Sequence, residues 1–138
     1  MIIDATDLIV GRLGAFVAKK ALLGESIDII NAEKAVITGG KNNVVAHYKH
    51  ERDRGHPYKG PYLPVKEDRF VRRMIRGMLP YKNEKGASAF KRIRCYTGVP
   101  EDLKDKKGES IQTAHVSKMQ NLKYMTVKEI CHLLGKRE

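Results

Sequence analysis

The sequence predicts an α/β domain, because short apolar runs alternate with helical repeats along the chain. The runs at 1–4, 27–32 and 36–38 have the length and composition of buried strands, whereas 8–23 has the apolar spacing of a helix. A length of 138 residues and an apolar content of 41% fit one domain with a substantial core. A parallel or mixed sheet covered by helices is the architecture that this alternation favours.

Local signals predict where each element begins and ends. The first helix ends before Gly24, a typical C-terminal cap, and a polar helix over 41–52 follows Gly39-Gly40. Residues 55–64 include three prolines and two glycines, which predicts an ordered loop or extended arm. The remaining predicted elements are a helix over 67–78, a turn over 80–86, a short helix through Phe90, a strand over 93–97 and a last helix opened by Thr126 and closed by Gly135.

Positive charge is concentrated in residues 41–94. That segment holds 15 Lys and Arg against 5 Asp and Glu, whereas residues 1–40 hold 4 against 5 and residues 95–138 hold 8 against 6. The segment charges of +10, −1 and +2 add up to the formal +11 of the chain. Such a one-signed field attracts polyanions and is screened by salt, so nucleic acid is the expected partner.

Four arginines of this segment have the spacing i, i+3, i+4 and i+7, which places them on one face of a helix. Apolar residues cluster on the opposite side, so the helix is expected to dock on the core and turn its guanidinium groups outward. Uncompensated arginines repel one another, and phosphate oxygens would relieve that repulsion. A solvated face kept charged for solubility is the alternative. The four arginines are Arg69, Arg72, Arg73 and Arg76, and the apolar residues are Phe70, Val71, Met74, Ile75 and Met78.

Motifs for catalysis and ligand binding are weak. The run Thr38-Gly39-Gly40-Lys41 lacks the spacing of a phosphate-binding loop, and Asn42 stands where that loop has Ser or Thr. Gly11 and Gly14 lie inside a helical pattern, where glycine indicates close packing. His47 and His50 have a metal-compatible spacing without a second tight pair, so polar surface or RNA contact is the simpler interpretation.

Cysteine usage and hydropathy indicate a soluble intracellular protein. Cys95 and Cys131 are far apart and belong to no Cys-x-x-Cys pair, which favours buried thiols in a reduced compartment. No run approaches the roughly 18 apolar residues needed to cross a bilayer, and the first residues lack the pattern of a signal peptide. No membrane partner is expected.

Several motifs together resemble one protein family. Residues 76–80 read Arg-Gly-Met-Leu-Pro and are followed by Lys82, Gly86 and Ala89, and residues 96–100 read Tyr-Thr-Gly-Val-Pro. With Ile3-Asp4-Ala5, Val10-Gly11-Arg12-Leu13, Ile30-Asn31-Ala32-Glu33-Lys34 and Ile37-Thr38-Gly39, they resemble the universal large-subunit ribosomal protein numbered thirteen. The chain begins at its first strand without the leader of bacterial members, and few residues separate Gly24 from the second strand. These departures resemble the archaeal and eukaryotic form, and the short length favours the archaeal one.

The resemblance implies a single three-layer α/β/α domain with a four-stranded, largely parallel sheet. Residues 1–100 would form the core domain, including the basic rRNA-binding segment 41–94, and residues 101–138 a C-terminal helical extension packed on it or on a neighbour. It further implies a structural constituent of the large ribosomal subunit in the cytoplasm, with a role in early subunit assembly. The partners would be large-subunit rRNA and neighbouring ribosomal proteins. No enzymatic activity, cofactor, metal, small-molecule substrate or homo-oligomer is expected.

Charge and expected exposure together predict the residues that bind rRNA. The arginine helix should bridge phosphates, the turn and strand after it should extend the contact, and 41–59 should supply a second edge. Tyr58, Tyr62 and Tyr81 are candidates for stacking on unpaired bases. The predicted rRNA-binding residues are Arg12, Lys41, Lys49, Arg52, Arg54, Lys59, Arg69, Arg72, Arg73, Arg76, Lys82, Lys85, Lys91, Arg92 and Arg94.

Two other classes share parts of this pattern. A free-standing RNA-binding regulatory protein would have the same charge distribution but would be found mainly outside ribosomes. An enzyme acting on RNA or nucleotides would need a convergent polar pocket, and no pair of carboxylates in the basic segment has an evident mechanistic spacing.

Overall fold

The computed structural model describes residues 1–136, and within them the chain forms five α-helices and five short strands joined by turns and 3-10 segments. In chain order the elements are β1 (Ile2–Asp4), α1 (Val10–Leu22), β2 (Ile27–Ile30), β3 (Val36–Thr38), α2 (Lys41–Asp53), α3 (Glu67–Arg76), α4 (Glu84–Lys91), β4 (Ile93–Cys95), β5 (Tyr124–Thr126) and α5 (Val127–Leu133).

The main sheet is parallel, with β2 between β1 and β4. Ile3 lies opposite Ile29, and Ile29 opposite Cys95. Glu109 forms a parallel bridge on the free edge of β1, where its N–H donates to Ile2 O at 2.8 Å and its carbonyl accepts from Asp4 N–H at 2.9 Å. The predicted α/β class with a largely parallel sheet is confirmed, and the fourth position in the sheet is occupied by a single bridging residue.

A second, two-stranded sheet joins β3 to β5 in antiparallel register, with Val36 opposite Thr126. The predicted strand over 36–38 is therefore present, and Val36 N–H also donates to Leu8 O at 2.9 Å. Its partner β5 was not predicted, because three residues with one buried side chain carry no detectable alternation. This pairing joins the C-terminal segment to β3, and the same segment also contacts the start of the chain, since Ile9 N–H donates to Ala114 O at 2.8 Å.

The core forms where α1 and α3 pack on the strands and on each other. α1 buries Leu13 and Val17, and α3 buries Val71 and Ile75, all with no exposed surface. Because these pairs are four residues apart, each helix presents one continuous apolar stripe, and its opposite side faces solvent. Among the described residues no helix is long and apolar enough to span a membrane.

The predicted element borders agree with the structure in most places. Gly24 has a φ of +101° just after α1, which confirms it as the residue that ends this helix. Residues 54–66 form no regular helix or strand beyond an isolated bridge of His56 with Gly60. The turn predicted over 80–86 was too long, because α4 already begins at Glu84.

Two contacts connect the residues just after α5 to α2 and α3. The carboxylate of Glu67 is buried in the first turn of α3, where Lys136 Nζ lies 2.6 Å from its Oε1. Arg52 in α2 donates from Nη1 to the carbonyl oxygen of Leu134. The basic helix is therefore held from its buried side by residues of the C-terminal segment.

The prediction of close packing at the glycines of α1 holds at one position and fails at the other. A Cβ on Gly14 would lie 2.7 Å from Met78 Sδ, so Gly14 lets α3 and the turn after it approach α1. A Cβ on Gly11 would meet nothing within 4 Å, so the expectation of close packing there is wrong. Gly86 in α4 has much tighter surroundings than either, since its Cβ would lie 2.0 Å from the carbonyl oxygen of Pro80.

Replacing these glycines by alanine should therefore change stability in opposite directions. Gly11→Ala should raise the free energy of unfolding by about 0.5–1 kcal/mol, because alanine loses less conformational freedom in a helix. Gly86→Ala should lower it by about 2 kcal/mol or more, because the rigid backbone of Pro80 must move. Urea denaturation of both variants measures the two shifts, and a destabilised Gly11→Ala variant would contradict the open surroundings of Gly11.

Candidate nucleic-acid interface

The interface is organised by α3, whose buried side fixes which of its cations face solvent. Phe70, Val71 and Ile75 are at most 1% exposed, so the opposite side of the helix carries Arg69 and Arg73 outward. Neither arginine forms an ion pair with any residue that the structure describes. Both guanidinium groups are therefore available to an external anion.

Arg72 differs from its neighbours, and the expectation that all four arginines of α3 turn outward is wrong for this residue. Its Nε donates to Ile93 O at 3.0 Å, its Nη2 donates to Phe90 O at 3.3 Å, and its guanidinium lies 4.1 Å from the centroid of the Phe90 ring. These contacts tie α3 to the junction of α4 and β4. Arg72 is half-buried and acts first as a structural residue.

Arg76 is intermediate between the outward-facing arginines and Arg72, which bonds to the chain itself. Its guanidinium lies over the Tyr81 ring, 4.5 Å from the centroid, in the geometry of a cation–π contact. Tyr81 is 40% exposed, and Arg76 itself is half-buried. The ring holds this arginine at the end of α3, where the chain turns towards α4.

A basic cleft lies where the first turns of α3 meet the end of α4 and β4. It consists of a cavity of about 330 Å³ and a smaller one of about 160 Å³, which share Arg69 and Arg72. Asp68 is the carboxylate of the larger cavity, and it forms no ion pair within residues 1–136. Lysine and arginine side chains outnumber this one carboxylate around the two cavities, so the cleft is positively charged. Its exposed cations are Arg69, Arg73, Lys91 and Arg94.

Three other predicted residues are held by backbone carbonyls. Arg92 Nη1 donates to Ala21 O at 3.0 Å, and Arg52 donates to Leu134 O, so both guanidinium groups lie at the C-terminal ends of helices. Cations at such ends complement the helix dipole and satisfy carbonyls that lack a helical partner. Arg12 lies apart from the cleft and donates from Nη1 to Thr113 O at 3.3 Å.

The remaining predicted cations are exposed, and they lie on two sides of α3. Arg54, at the end of α2, lines a third cavity together with Arg73, which shows that α2 and α3 face each other across a groove. The exposed lysines on the α2 side are Lys41, Lys49 and Lys59, and those on the turn and α4 are Lys82 and Lys85.

Two residues of this surface were missed by the sequence prediction. Lys66 is exposed immediately before α3, and its membership of the basic segment was the signal for it. Tyr96 lines the larger cavity of the cleft. The strand pattern over 93–97 did not indicate that its side chain would face this cavity. Of the tyrosines considered for stacking, Tyr58 is 88% exposed and Tyr62 is 64% exposed, so their rings are accessible.

The two thiol groups contribute no charge to this surface near neutral pH. Burial raises the pKa of Cys95 to about 12, with Arg72 acting in the opposite direction and Asp68 adding to the rise. The thiol therefore stays protonated near neutral pH, as does Cys131, whose pKa burial also raises to about 12. His47 lies 3.3 Å from Glu51, and within residues 1–136 no three His, Cys, Asp or Glu side chains are grouped to hold a metal ion.

The fold and the cleft together have the features of a basic nucleic-acid-binding α/β domain, in which clustered cations are displayed on one helix. Sequence comparison identifies the family within this class. The model of the family described as ribosomal protein L13 matches residues 1–102, and the chain belongs to this family.

Three similar proteins of this family come from archaea, which agrees with the expected archaeal-type form. The large ribosomal subunit protein uL13 of Archaeoglobus fulgidus is 45% identical over 137 residues, covering 99% of this chain and 88% of the relative. The uL13 protein of Methanosarcina barkeri is 43% identical over 137 residues, with 99% and 98% covered. That of Methanococcus maripaludis is 44% identical over 139 residues, with 98% and 97% covered.

Two adjacent arginines of α3 should respond differently to truncation. Arg72→Ala should lower the free energy of unfolding by about 2 kcal/mol, because two half-buried carbonyls lose charged donors and the Phe90 ring loses its cation. Arg73→Ala should change it by less than about 0.5 kcal/mol, as for other exposed positions. Urea unfolding of both variants tests the difference, and equal shifts would contradict the structural role of Arg72.

Proposed function

We propose that this protein is a structural constituent of the large ribosomal subunit that binds and organises large-subunit rRNA, with a role in early subunit assembly in the cytoplasm. Membership of a family of ribosomal proteins supports the subunit. The observation that carries rRNA binding is the basic cleft, whose exposed cations form no ion pair within residues 1–136. The role is one of positioning, without catalysis.

The mechanism follows from the charge of RNA. Each cation that neutralises a phosphate releases a condensed counterion, so binding is favoured by entropy and weakened by salt. Arg69, Arg73 and Arg94 come from a helix and a strand that share one core, so the spacing of their backbone positions is preset before RNA arrives. Because base edges in A-form RNA lie in a deep, narrow groove, recognition through backbone shape, 2′-hydroxyls and loops is expected.

We further propose that residues 1–100 act as the rRNA-binding core and residues 101–138 as an extension packed on it. The pairing of β5 with β3, the bridge from Glu109 to β1 and the contacts of α5 with α3 support packing within the chain. Residues 137 and 138 of the extension lie outside the described residues. The partners are large-subunit rRNA and neighbouring ribosomal proteins, and the chain acts as one copy without a small-molecule substrate.

Neutralising three cations of the basic cleft should weaken retention in the subunit without unfolding the chain. In Arg69→Gln/Arg73→Gln/Arg94→Gln all three positions are exposed, so the melting temperature should stay close to that of the wild type. Large subunits are isolated on sucrose gradients and washed in high salt, and the protein is quantified by mass spectrometry. About one copy per subunit is expected for the wild type and strong depletion for the variant.

A matched control removes the same charge elsewhere. Lys104→Gln/Lys106→Gln/Lys107→Gln lies in an exposed stretch of mixed charge, so its occupancy should remain near that of the wild type. Binding of the purified proteins to large-subunit rRNA should show a log–log salt slope that is smaller by about 2–3 for the cleft variant only. Absence of the wild-type protein from washed subunits would refute the proposed function and favour a free-standing RNA-binding protein.

A further inference from the structure

A groove of about 430 Å³ lies between α2, α3 and the loop 54–66, beside the basic cleft. Its floor is apolar and well packed, since Phe70 is 1% exposed and Tyr48 is 9% exposed. The two rings meet edge to face with their centroids 5.0 Å apart, and half-buried Met74 and Leu63 continue the floor. Because both rings are almost completely covered, a flat heterocycle in this groove would lie on the half-buried side chains of Met74 and Leu63.

The mouth of the groove is positively charged. Arg54 comes from the end of α2 and Arg73 from α3, and both are exposed without an ion pair among residues 1–136. Glu51 is the carboxylate among the lining residues, and it lies 3.3 Å from His47. An apolar floor under two free guanidinium groups matches a ligand that is flat and uncharged in one part and anionic on either side.

The groove adjoins the basic cleft, because Arg73 lines both the groove and the smaller cavity of the cleft. An RNA backbone that follows the exposed side of α3 therefore passes over the mouth of the groove. A peptide with an apolar side chain would fit the floor equally well, but it would need its own carboxylates to match the two arginines, whereas every nucleotide of RNA carries a phosphate.

We infer that this groove holds one unpaired nucleobase of the rRNA, with the phosphates on either side bound by Arg54 and Arg73. This inference rests on the proposed function and deepens it. Proteins recognise single-stranded RNA by stacking splayed-out bases on aromatic rings and guanidinium planes. Tyr62 supplies a wall for such stacking, since its ring is 64% exposed and its hydroxyl donates to Pro57 O at 3.1 Å.

Gly77 lies at the edge of the groove and keeps it wide. A Cβ at this position would meet only Met74 O, at 3.4 Å, and the backbone has helical angles with a φ of −63°. Packing within the chain therefore does not require glycine here. A large side chain at position 77 would narrow the groove while leaving the fold in place. Such a variant would block the groove without removing any existing side-chain contact.

Chemical probing of rRNA in isolated large subunits tests this inference. Subunits carry the wild-type protein, Tyr62→Ala or Gly77→Leu, and base alkylation and 2′-hydroxyl acylation are measured at every nucleotide. One unpaired nucleotide that is protected by the wild type should become at least about fivefold more reactive in both variants, since stacking of one base contributes this much. Occupancy should stay near one copy per subunit.

Two control variants separate stacking from general damage. Tyr62→Phe keeps the ring and should keep the protection. Tyr58→Ala removes a ring that is 88% exposed in the same loop but does not line the groove, and it should leave the nucleotide at the groove protected.

The outcomes distinguish this inference from the proposed function. Unchanged reactivity in Tyr62→Ala and Gly77→Leu at full occupancy would overturn the base site and leave rRNA binding intact. If a variant fails to enter subunits, ultraviolet cross-linking of wild-type subunits decides. A nucleotide attached to Tyr62 or Met74 supports the inference, whereas a neighbouring protein attached there, or no adduct in the groove, overturns it. Absence of the wild-type protein from subunits would refute the proposed function instead.

Discussion

The burial of one side of α3 is the constraint on which the rest of the structure depends. Phe70, Val71 and Ile75 pack against α1, β4 and α5, so this helix cannot rotate without exposing its apolar stripe to water. The same helical period that buries these residues sets Arg69 and Arg73 on the opposite side. The position of this cationic surface is thus a direct consequence of core packing. The arginines repel one another, and the burial of the apolar stripe offsets this repulsion.

Arginines have two roles in this chain. Arg52, Arg72 and Arg92 donate to backbone carbonyls at the ends of helices and at the junction of α4 and β4. The exposed arginines of the basic cleft, Arg69, Arg73 and Arg94, carry charge outward and form no ion pair within residues 1–136. The basic segment therefore builds part of the fold as well as the surface, so removing its charge indiscriminately would damage both.

The sequence predicted those features that depend on local periodicity or on specific motifs. The helices α1, α2, α3 and α5, the cap at Gly24 and the family were all predicted, because each has a signal within a few consecutive residues. Features set by distant residues were not. The inward turn of Arg72 depends on the carbonyls of Phe90 and Ile93, and the pairing of β5 depends on β3 almost ninety positions earlier. Gly11 and Gly14 likewise look equivalent in sequence and differ because Met78 and Ile75 lie next to Gly14 alone.

The most direct measurement is a cryo-electron microscopy map of the large subunit at side-chain resolution around α3. The division of roles predicts phosphate oxygens within hydrogen-bonding distance of Arg69, Arg73 and Arg94, with Arg72 still bonded to the carbonyls of Phe90 and Ile93. A map in which α3 faces another protein or solvent, or in which Arg72 has left those carbonyls for a phosphate, would contradict it.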